Sequence, residues 1–585
     1  MRLVFDIEAN GLYYEASVIH CLVAKDLDTG ETHKFEPSKV KQGLDLLMSA
    51  DVIIGHNVIG YDIPVMRKLF PRFVIRRESV IDTLVLSRLL YSNLAEQDYE
   101  QKTLSEPKLY GSHSLKAWGH RLGELKDEYE GGFDRFSVEM LEYNVQDVNV
   151  TEKLYKMLST HVAYSEQAST LEHKVAFIVN QQEHNGFLFD VREAENLTAN
   201  LQIKRFELEH KLQETFQSWE EDVGEFTPKV NNKKLGYTKG VPFMKTKTTI
   251  FNPGSRHHIA NRLKAMRGWK PKDFTPDGSA RVDEAILSKL KYPEAELLSE
   301  YLMIQKRLGM LAEGNNGWLK MVKRNSRIHG EVITNGAVTG RATHRNPNVA
   351  QVPAVGAQYG KECRSLFTVP KDKFLVGVDV SGLELRMLAH FMKDNEYARE
   401  VCEGDVHTVN MQAAGLETRN QAKKFIYTYL YGGGDLKVGE IAGMGAAYGK
   451  MLKERFLAKT PALATLVRQV KAASKRGYLI GLDGRRLHIR SDHAALNVLL
   501  QSAGALVCKQ FMVEVDQMLT QLEWSHKVHQ VAWIHDECQF ECDQDVALAF
   551  GKLSLECIKK AGDFFKISVP LTGEYKIGTT WAETH

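Results

Sequence analysis

Residues 418–434 read TRNQAKKFIYTYLYGGG, a segment that combines a regular four-residue spacing with an unusual mixture of side chains. Two cations and two tyrosines recur at every fourth position, namely Arg419, Lys423, Tyr427 and Tyr431. Each step of four residues advances about 400° around a helix, so these side chains form one slowly turning stripe. Thr418 followed by Gln421 predicts a capping box at the start of the helix, and the glycines predict its end.

The chemistry of this stripe suits a nucleotide. Two cations match a polyphosphate, and two aromatic rings match a base and a sugar. A salt-bridged surface helix is the alternative interpretation. Because the cations and the aromatic rings share one face, the pattern favours nucleotide binding.

Two acidic groups stand at the ends of apolar strands on either side of this segment. Residues 374–378 (FLVGV) predict a strand that delivers Asp379, and residues 531–534 (VAWI) predict another that ends at His535, Asp536 and Glu537. The second strand turns back through residues 538–540, which predicts a hairpin with an acidic turn. An isolated acid at a strand end is usually solvated, but Asp379 and Asp536 together could hold two Mg²⁺ ions across neighbouring strands.

A second set of acids lies near the N-terminus. Asp6 and Glu8 follow the apolar run at residues 3–5 and share one face of the predicted strand, because strand side chains alternate. Asp62 follows the apolar run at residues 52–54, and Tyr143 and Asp147 are four apart on a predicted helix. Singly, each acid is better explained as a cap or a surface ion pair. Together they supply the hard oxygen ligands that a pair of magnesium ions about 4 Å apart requires.

Composition sets the limits for these sites. The chain has 585 residues, which predicts an N-terminal unit of roughly 170 residues and a larger C-terminal one. The net charge is only +2, so nucleic-acid binding must depend on local basic surface. The seven cysteines show no zinc spacing, and the apolar run before Asp6 is too short for a signal peptide. We therefore expect a soluble intracellular protein with no membrane segment.

The middle of the chain reads as helical, with one exception. Helices are predicted from residue 172 to a break at Asn185 and Gly186, from residue 201 to 216 and from residue 296 to 311. Between Trp219 and Phe251 the Gly, Pro and Asn content predicts a loop, and its part from residue 226 to 250 contains six lysines and no acid. A solvated insertion and a clamp that touches duplex phosphates or binds an accessory factor explain this loop about equally well.

These motifs resemble those of family A DNA polymerases. Residues 379–384 are similar to motif A of that family, residues 419–432 to motif B and residues 535–537 to motif C. Residues 339–353 resemble the segment that holds the primer end. Asp6, Glu8, Asp62 and Asp147, with Tyr143, resemble the DEDD proofreading exonucleases of the tyrosine-bearing subclass. Residues 112–115, 404–408 and 497–502 are similar to the replicative phage members of the family.

The resemblance implies a mixed α/β fold with two domains. Residues 1–165 would form a ribonuclease H-like 3′ to 5′ exonuclease domain and residues 166–585 a right-hand polymerase domain. Within the latter, the thumb would span about 175–325, the palm about 326–400 and 480–585, and the fingers about 401–479.

The resemblance also implies residue roles. The polymerase metal site would include Asp379, Val380 and Asp536, with Glu537 and His535 beside it near the primer terminus. Arg419, Lys423 and His407 would bind the triphosphate, Tyr427 would pack on the sugar, Glu384 would exclude a 2′ hydroxyl and Tyr431 would stack at the templating position. Arg341, Asn497 and Gln501 would sense the minor groove, whose acceptors look alike for correct pairs of any sequence. In the exonuclease, Tyr143 would orient the attacking water.

The implied cofactor is Mg²⁺, two ions in each active site, with Mn²⁺ as a substitute. The implied partners are primer-template DNA, dNTPs, a helicase-primase and a single-strand DNA-binding protein, for a monomer in the host cytoplasm. Related phage enzymes recruit thioredoxin through a long thumb insertion, but residues 219–251 are short at that place, so thioredoxin is not carried over. We expect instead that this enzyme extends primers alone and that the lysine-rich loop supplies part of the grip on DNA.

Two other functions compete with this interpretation. A single-subunit RNA polymerase shares the palm but lacks a DEDD domain and would not carry Glu384 as a sugar gate. A non-catalytic DNA-binding scaffold would have lost metal-binding acids, whereas all six are present here: Asp6, Glu8, Asp62, Asp147, Asp379 and Asp536.

Overall fold

The computed structural model of the chain describes residues 1–102, 104–124, 129 and 131–585. These residues form two compact units. The larger unit contains Met1–Phe187, His329–Gln351 and Thr368–His585, and the smaller unit contains Leu188–Ile328 and Val352–Phe367. Both mix helices and strands, as the sequence predicts.

The N-terminal part of the larger unit is built on a five-stranded mixed sheet. In spatial order its strands are Thr32–Phe35, Ile19–Asp26, Arg2–Ala9, Val52–Gly55 and Val80–Asp82. The first three strands pair antiparallel with one another, and Val52–Gly55 pairs in parallel with its neighbour on each side. Sheets that contain parallel strands are usually covered by helices on both faces. The helices are Val40–Ser49, Asp62–Leu69, Thr83–Leu90, Leu94–Gln101, Leu115–Leu122 and Val138–Ser159, with 3₁₀ turns at Pro37–Lys39, Arg77–Ser79 and Pro107–Leu109.

The C-terminal part of the larger unit is built on a four-stranded antiparallel sheet, the palm sheet. In spatial order its strands are Val528–Ile534, Glu537–Asp543, Lys373–Val380 and Gly573–Gly578. Two strand pairs accompany it, Glu331–Ile333 with Thr343–Arg345 and Tyr478–Ile480 with Arg486–His488, together with a 3₁₀ turn at Val349–Gln351. The helices are Leu383–Met392, Asn395–Cys402, Val406–Ala414, Arg419–Leu430, Asp435–Glu440, Ala446–Lys459, Pro461–Ser474, Ala495–Gln521 and Ala547–Phe564.

The helix Ala495–Gln521 is the most apolar of these. Its length and composition would suit a membrane span, but 89% of its most apolar window is buried inside the protein. Leu506, Val507 and Phe511 are among its fully buried side chains and belong to the largest hydrophobic core. It is therefore placed as a core helix of this unit.

The helix Glu166–Asn185 contributes to two cores. Its Val175, Ile178 and Val179 pack into the core around the palm sheet, whereas Phe177 packs into the N-terminal core. Glu172 on this helix has no exposed surface and forms an ion pair with Arg485 at 2.7 Å. Because this helix packs on both sides, the domain boundary at residue 165 stays a prediction.

The smaller unit is mainly helical. Its helices are Val191–Phe216, Arg256–Arg267, Glu284–Leu287, Pro293–Leu308, Trp318–Met321 and Gly360–Ser365, with one π turn at Gly309–Glu313. Three short strands, Phe187–Phe189, Arg327–Ile328 and Phe367–Thr368, form a small sheet. The helices predicted at residues 201–216 and 296–311 are thus confirmed, with earlier starts.

The prediction of a loop between Trp219 and Phe251 is wrong at both ends of the segment, which form strands, and holds only for the connection between them. Trp219–Phe226 pairs antiparallel with Phe243–Thr249, and the connection between them lies at the tip of this hairpin. Three rings, Phe226, Tyr237 and Phe243, pack edge to face with centroids 4.7–6.1 Å apart. The contact between Phe226 and Phe243 joins the two strands, and Tyr237 adds a ring from the connection, so this aromatic group stabilises the hairpin.

Candidate active sites

Three acids of the N-terminal sheet and its covering helix converge. Asp6 and Glu8 lie on one face of the strand Arg2–Ala9, and the helix Val138–Ser159 brings Asp147 to them. One carboxylate oxygen from each lies within 4.8 Å of the others. Three hard, anionic oxygens at this spacing fit a divalent cation such as Mg²⁺. Of the four acids predicted from the sequence, the structure therefore brings these three together.

Asp62, the fourth acid, is held differently. It begins the helix Asp62–Leu69, is 3% exposed, and its Oδ1 accepts a hydrogen bond from the backbone N–H of Ile7 at 3.2 Å. It thus lies against the strand of Asp6 and Glu8 but is not part of the three-acid group in the described residues. Burial, with smaller contributions from the negative charges of Asp82 and Asp147, raises the pKa of Asp62 to about 7.

Two supporting residues escaped the sequence interpretation. The Nδ2 of Asn144 donates to Oδ2 of Asp6 at 2.9 Å, and Asn144 is fully buried three residues before Asp147. Asp82 accepts hydrogen bonds from the backbone N–H groups of Asn57 at 2.8 Å and Ile59 at 3.0 Å, which fixes the loop leading to Asp62. The spacing of Asn144 from Asp147, which puts both on one helix face, was the available signal.

Tyr143 does not line the same cleft as the acids. Asp6 and Asp147 line one cleft, whereas Tyr143 lines a neighbouring cavity with Tyr129, whose ring centroid is 5.4 Å away. The position of Tyr143 four residues before Asp147 on one helix is confirmed. Its role in orienting water stays a prediction.

The acids of the palm sheet meet at the end of three strands. Asp379 pairs in register with Glu537, and the backbone N–H of Val380 donates to the carbonyl oxygen of Asp536 at 3.1 Å. His535 and Asp536 form the two-residue turn that joins the strands of the hairpin, and His535 has a φ of 58°. A left-handed conformation at a non-glycine residue is strained, and such strain is frequent at functional turns.

Burial and the repulsion of neighbouring carboxylates raise the pKa values of the palm acids Asp379 and Asp536. Burial, followed by the charges of Asp536 and Glu537, raises the pKa of Asp379 to about 7, although its side chain reaches solvent. Burial also raises the pKa of Asp536. Two neighbouring carboxylates that resist ionisation are a fit for a divalent cation, which would supply the missing positive charge.

Glu537 is occupied by contacts within the protein. Burial alone would raise its pKa, but hydrogen bonds involving His585, Trp581 and Gln539 outweigh burial and lower it. Trp581 Nε1 donates to Oε1 at 2.6 Å, and His585 Nδ1 lies 2.7 Å from Oε2. Position 377 in the strand Lys373–Val380 requires glycine, because a Cβ there would lie 2.3 Å from the carbonyl oxygen of Thr584. Trp581 and His585 lie too far along the chain for any sequence spacing to have indicated them.

The stripe of cations and tyrosines that the sequence assigns to a nucleotide lies on the helix Arg419–Leu430, and the predicted capping box of Thr418 and Gln421 is confirmed. The rings of Tyr427 and Tyr431 stack with centroids 6.4 Å apart at 25°. Tyr431 itself is the C-cap, so the stripe extends one residue beyond the helix.

Several residues of the predicted nucleotide site are paired with acids of this chain. Arg419 Nε lies 2.8 Å from Asp405 Oδ2, while Lys423 is exposed. Glu384 accepts a hydrogen bond from the hydroxyl group of Tyr431 and lies 3.2 Å from Nη2 of Arg341. Each of these three assignments therefore includes one residue with a polar partner within the protein: Arg419 for the triphosphate, Glu384 for the sugar gate and Arg341 for the minor groove.

His407 and the two remaining predicted DNA contacts have no such partners. The His407 ring centroid lies 6.4 Å from that of Tyr427, and its Nδ1 has no hydrogen-bond partner among the described residues. Burial, Arg419 and Lys423 lower the pKa of His407. Asn497 and Gln501 are half-buried, four apart at the start of the helix Ala495–Gln521.

Comparisons with known proteins agree with these observations. The family model described as DNA polymerase family A matches residues 232–583, and that of the RNase_H superfamily matches residues 3–159. The DNA-directed DNA polymerases of Enterobacteria phage T3 and Escherichia phage T7 are each 39% identical to this chain over the whole length of both proteins. The solved POL domain of Pol1 from M. smegmatis, in complex with DNA primer-template and dNTP, matches 99% of this chain and 96% of its own at a TM-score of 0.76 with 18% identity, a likeness of fold.

Proposed function

The chain belongs to family A of the DNA polymerases, and on that premise we propose that it extends a primer along a DNA template in the palm and excises mismatched 3′ nucleotides in the N-terminal domain. It is a phage-type DNA polymerase with an RNase H-like exonuclease domain. The N-terminal match disfavours a single-subunit RNA polymerase, and the full set of acids disfavours an inactive scaffold. The observation that carries the proposal is the presence of two separate acid clusters, one in each domain.

In the palm we assign metal binding to Asp379 and Asp536, with Val380 as a further ligand. When bound, two Mg²⁺ ions would activate the primer 3′ hydroxyl and stabilise the triphosphate charge, and Mn²⁺ would be a substitute. Glu537 and His535 stay beside the primer terminus. Since Glu537 is held by hydrogen bonds from within the protein, its role is to position the turn that carries Asp536.

The incoming dNTP is assigned to the stripe. Arg419, Lys423 and His407 bind the triphosphate, and Tyr427 packs against the sugar. Glu384 blocks a 2′ hydroxyl, because it is a half-buried acid already fixed between Arg341 and Tyr431. Tyr431 stacks at the templating position.

The minor groove of the new base pair is assigned to Arg341, Asn497 and Gln501. Asn497 and Gln501 lie on one face of the helix Ala495–Gln521, and their amide groups make no hydrogen bond with any residue that the structure describes. Such donors contact acceptors that are alike in all correct pairs, so they test geometry without selecting a sequence.

In the N-terminal domain, Asp6, Glu8, Asp62 and Asp147 would hold the two ions that hydrolysis requires. Asn144 keeps Asp6 oriented through its hydrogen bond. Tyr143, on the same helix as Asp147, orients the attacking water.

The biological setting follows from the same premise. Primer-template DNA and dNTPs are the partners that a DNA polymerase implies. We assign the enzyme to the host cytoplasm as a monomer that works with a helicase-primase and a single-strand DNA-binding protein. Thioredoxin is not assigned as a partner.

A primer with a mismatched 3′ end tests the whole proposal. With Mg²⁺ and dNTPs, the enzyme should remove the mismatch and then extend the primer, and with rNTPs it should not extend it. Without metal, both reactions should stop. Extension of the mismatch without prior excision would contradict the exonuclease, and equal use of rNTPs would contradict the DNA polymerase.

A further inference from the structure

One cleft of the larger unit joins the exonuclease acids to a group of cations. The cleft has a volume of about 800 Å³, and its lining includes Asp6 and Asp147 together with Arg88, Arg345 and Arg490. No other carboxylate is found among the lining residues that the structure describes. The three arginines come from distant parts of the chain, so their convergence is a property of the fold.

Arg88 differs from the other two arginines in having no partner. Arg345 is paired with Glu331 at 2.7 Å, and Arg490 is paired with Glu96. The guanidinium group of Arg88, on the helix Thr83–Leu90, makes no hydrogen bond or ion pair with any described residue, although the side chain is half-buried. A guanidinium group has five N–H donors, and leaving them unsatisfied in a partly desolvated place is costly.

The surroundings explain how Arg88 is held ready. Burial and the positive charge of Arg345 lower its pKa, and the negative charges of Asp82 and Glu183 oppose that effect. The guanidinium group remains protonated at neutral pH because the ordinary pKa of arginine is far higher. Ser87, the residue before it, is anchored by its hydroxyl group 3.1 Å from His113, a further lining residue of the cleft. The position of Arg88 is therefore set by the helix Thr83–Leu90 and not by an ion pair with a described acid.

The ligand that fits such a group is a phosphodiester. An arginine fork binds phosphate oxygens in a bidentate manner, and this geometry adds direction to the charge. A strand whose 3′ end lies at Asp6 and Asp147 must place its preceding phosphates along the rest of the cleft. Arg88 lies in that cleft with all its donors available.

We propose that Arg88 binds an internal phosphodiester of the unpaired 3′ strand while its terminal nucleotide lies at the exonuclease acids. This assignment rests on the proposed exonuclease function and adds a phosphate-binding residue to it. The paired arginines Arg345 and Arg490 are exposed and line the same cleft.

The test uses the full-length enzyme with Mg²⁺ and a single-stranded DNA oligonucleotide. Arg88→Gln should raise KM for hydrolysis roughly tenfold or more with a smaller change in kcat, since a charge-assisted contact is lost from binding. The slope of log(kcat/KM) against log salt should become shallower by roughly 0.7, as expected for one lost contact to a single strand. Arg88→Lys should keep the salt slope but recover only part of KM, because the fork geometry is lost.

Arg72→Gln is the matched control. Arg72 is exposed, lies outside the cleft and has no ion pair among the described residues. It removes one positive charge from the same domain, so unchanged KM and salt slope in this variant would assign the effect to Arg88 itself.

Neutral methylphosphonate linkages identify the phosphate. The wild-type enzyme should lose affinity when one particular internal linkage is made neutral, and Arg88→Gln should be insensitive at that linkage while responding normally elsewhere. Equal sensitivity of both enzymes at every linkage, or an unchanged KM and salt slope in Arg88→Gln, would overturn the assignment. A wild-type enzyme that hydrolyses no single strand would instead refute the exonuclease itself.

Discussion

The two acid clusters are built on similar strands but are completed in different ways. In the exonuclease, Asp6, Glu8 and Asp147 already lie within 4.8 Å of one another. In the palm, Asp379 and Asp536 meet at the ends of their strands. The third acid, Glu537, accepts hydrogen bonds from Trp581 and Gln539. The exonuclease thus supplies three converging carboxylates and the palm two.

The arginines near the two acid clusters also differ in whether they have an acidic partner. In the predicted nucleotide site, Arg419 is paired with Asp405, and Arg341 with Glu384. Beside the exonuclease acids, Arg88 is unpaired in the described structure. We infer that the hydrolytic site is assembled before its substrate arrives, whereas the palm site must exchange internal ion pairs for the dNTP and the primer-template.

The largest expected effect separates the two clusters. Asp536→Ala should lower primer extension by roughly a thousandfold or more, because a lost metal ligand removes several kcal/mol of transition-state stabilisation. Its exonuclease activity should be unchanged. Asp6→Ala should have the reverse effect. Each variant is the control for the other, measured by primer extension and by digestion of a single strand.

The outcome decides whether two sites exist. If both activities survived either substitution, the assignment of the acids would be wrong. If both activities fell together in Asp536→Ala with the fold intact by circular dichroism, the clusters would not act independently.

The next effect concerns the nucleotide site. Tyr427 is half-buried, and burial together with the charges of Glu384 and Asp536 raises its pKa, so its hydroxyl group remains a donor at neutral pH. We expect it to replace the contact that the 3′ hydroxyl of a nucleotide normally makes. The wild-type enzyme should therefore accept dideoxynucleotides, and Tyr427→Phe should discriminate against them by roughly 10- to 100-fold in kcat/KM.

Tyr429→Phe is the matched control for this prediction. Tyr429 lies on the same helix but packs against Phe425 and Phe456, with centroids 6.1 and 5.8 Å away. Its substitution should leave the dideoxynucleotide preference unchanged. An unchanged preference in Tyr427→Phe would remove that tyrosine from the sugar site.

A smaller, pH-dependent effect is expected at Asp62. Its pKa of about 7 means that the carboxyl group is protonated below that pH and must lose a proton before it can bind a metal. In an Asp536→Ala background, which disables the palm site, Mn²⁺ affinity should fall up to roughly tenfold per pH unit below about pH 7. Calorimetry at several pH values measures this directly, and Asp62→Asn should flatten the dependence.

The stability of the metal-free protein should show the opposite sign. A folded-state pKa above the unfolded value means that Asp62 favours folding at low pH, below its unfolded pKa, and that this contribution is lost as pH rises through about 7. Asp62→Asn should therefore raise the melting temperature at pH 8 and not at pH 4. A higher melting temperature of the variant at both pH values would mean that ionisation is not the cause.

Local patterns in the sequence were sufficient for much of the scaffold. Apolar runs predicted the strands Lys373–Val380 and Val528–Ile534, and the Thr418 and Gln421 pair predicted the helix start. These features depend on neighbouring residues, which a sequence displays directly. The convergence of Asp6, Glu8 and Asp147 was predicted as well, but from a resemblance to known enzymes.

What the sequence did not indicate depends on contacts between distant residues. The partners of Glu537 lie up to 48 residues further along the chain, and no periodicity connects them. The unpaired state of Arg88 is a fact about its surroundings, not about its identity. The segment 219–249 was predicted as a loop because its Gly, Pro and Asn residues are visible in the sequence. The pairing of its two strands depends on contacts between residues far apart in the chain, which the sequence does not display.

The smallest expected effect concerns the lysines of the hairpin Trp219–Thr249. Replacing them tests whether these lysines contribute to DNA binding during primer extension. Lys229, Lys233, Lys234 and Lys239 lie in the connection at its tip, between the two strands. Replacing these four by Gln should shorten the product made per binding event a few-fold and make the salt dependence of duplex binding shallower, by at most about 0.9 per lysine that contacts a phosphate. Digestion of a short single strand should not change, since the exonuclease acids are already assembled.

Lys247 provides the control within the same hairpin. It pairs in register with Glu221 on the opposite strand, so an acid stands directly across from it. Lys247→Gln should leave product length and salt dependence near the wild-type values, while the aromatic contacts at the tip keep the hairpin folded. If the fourfold variant behaved like Lys247→Gln, the tip would be only a solvated insertion, and the palm would hold its primer-template without it.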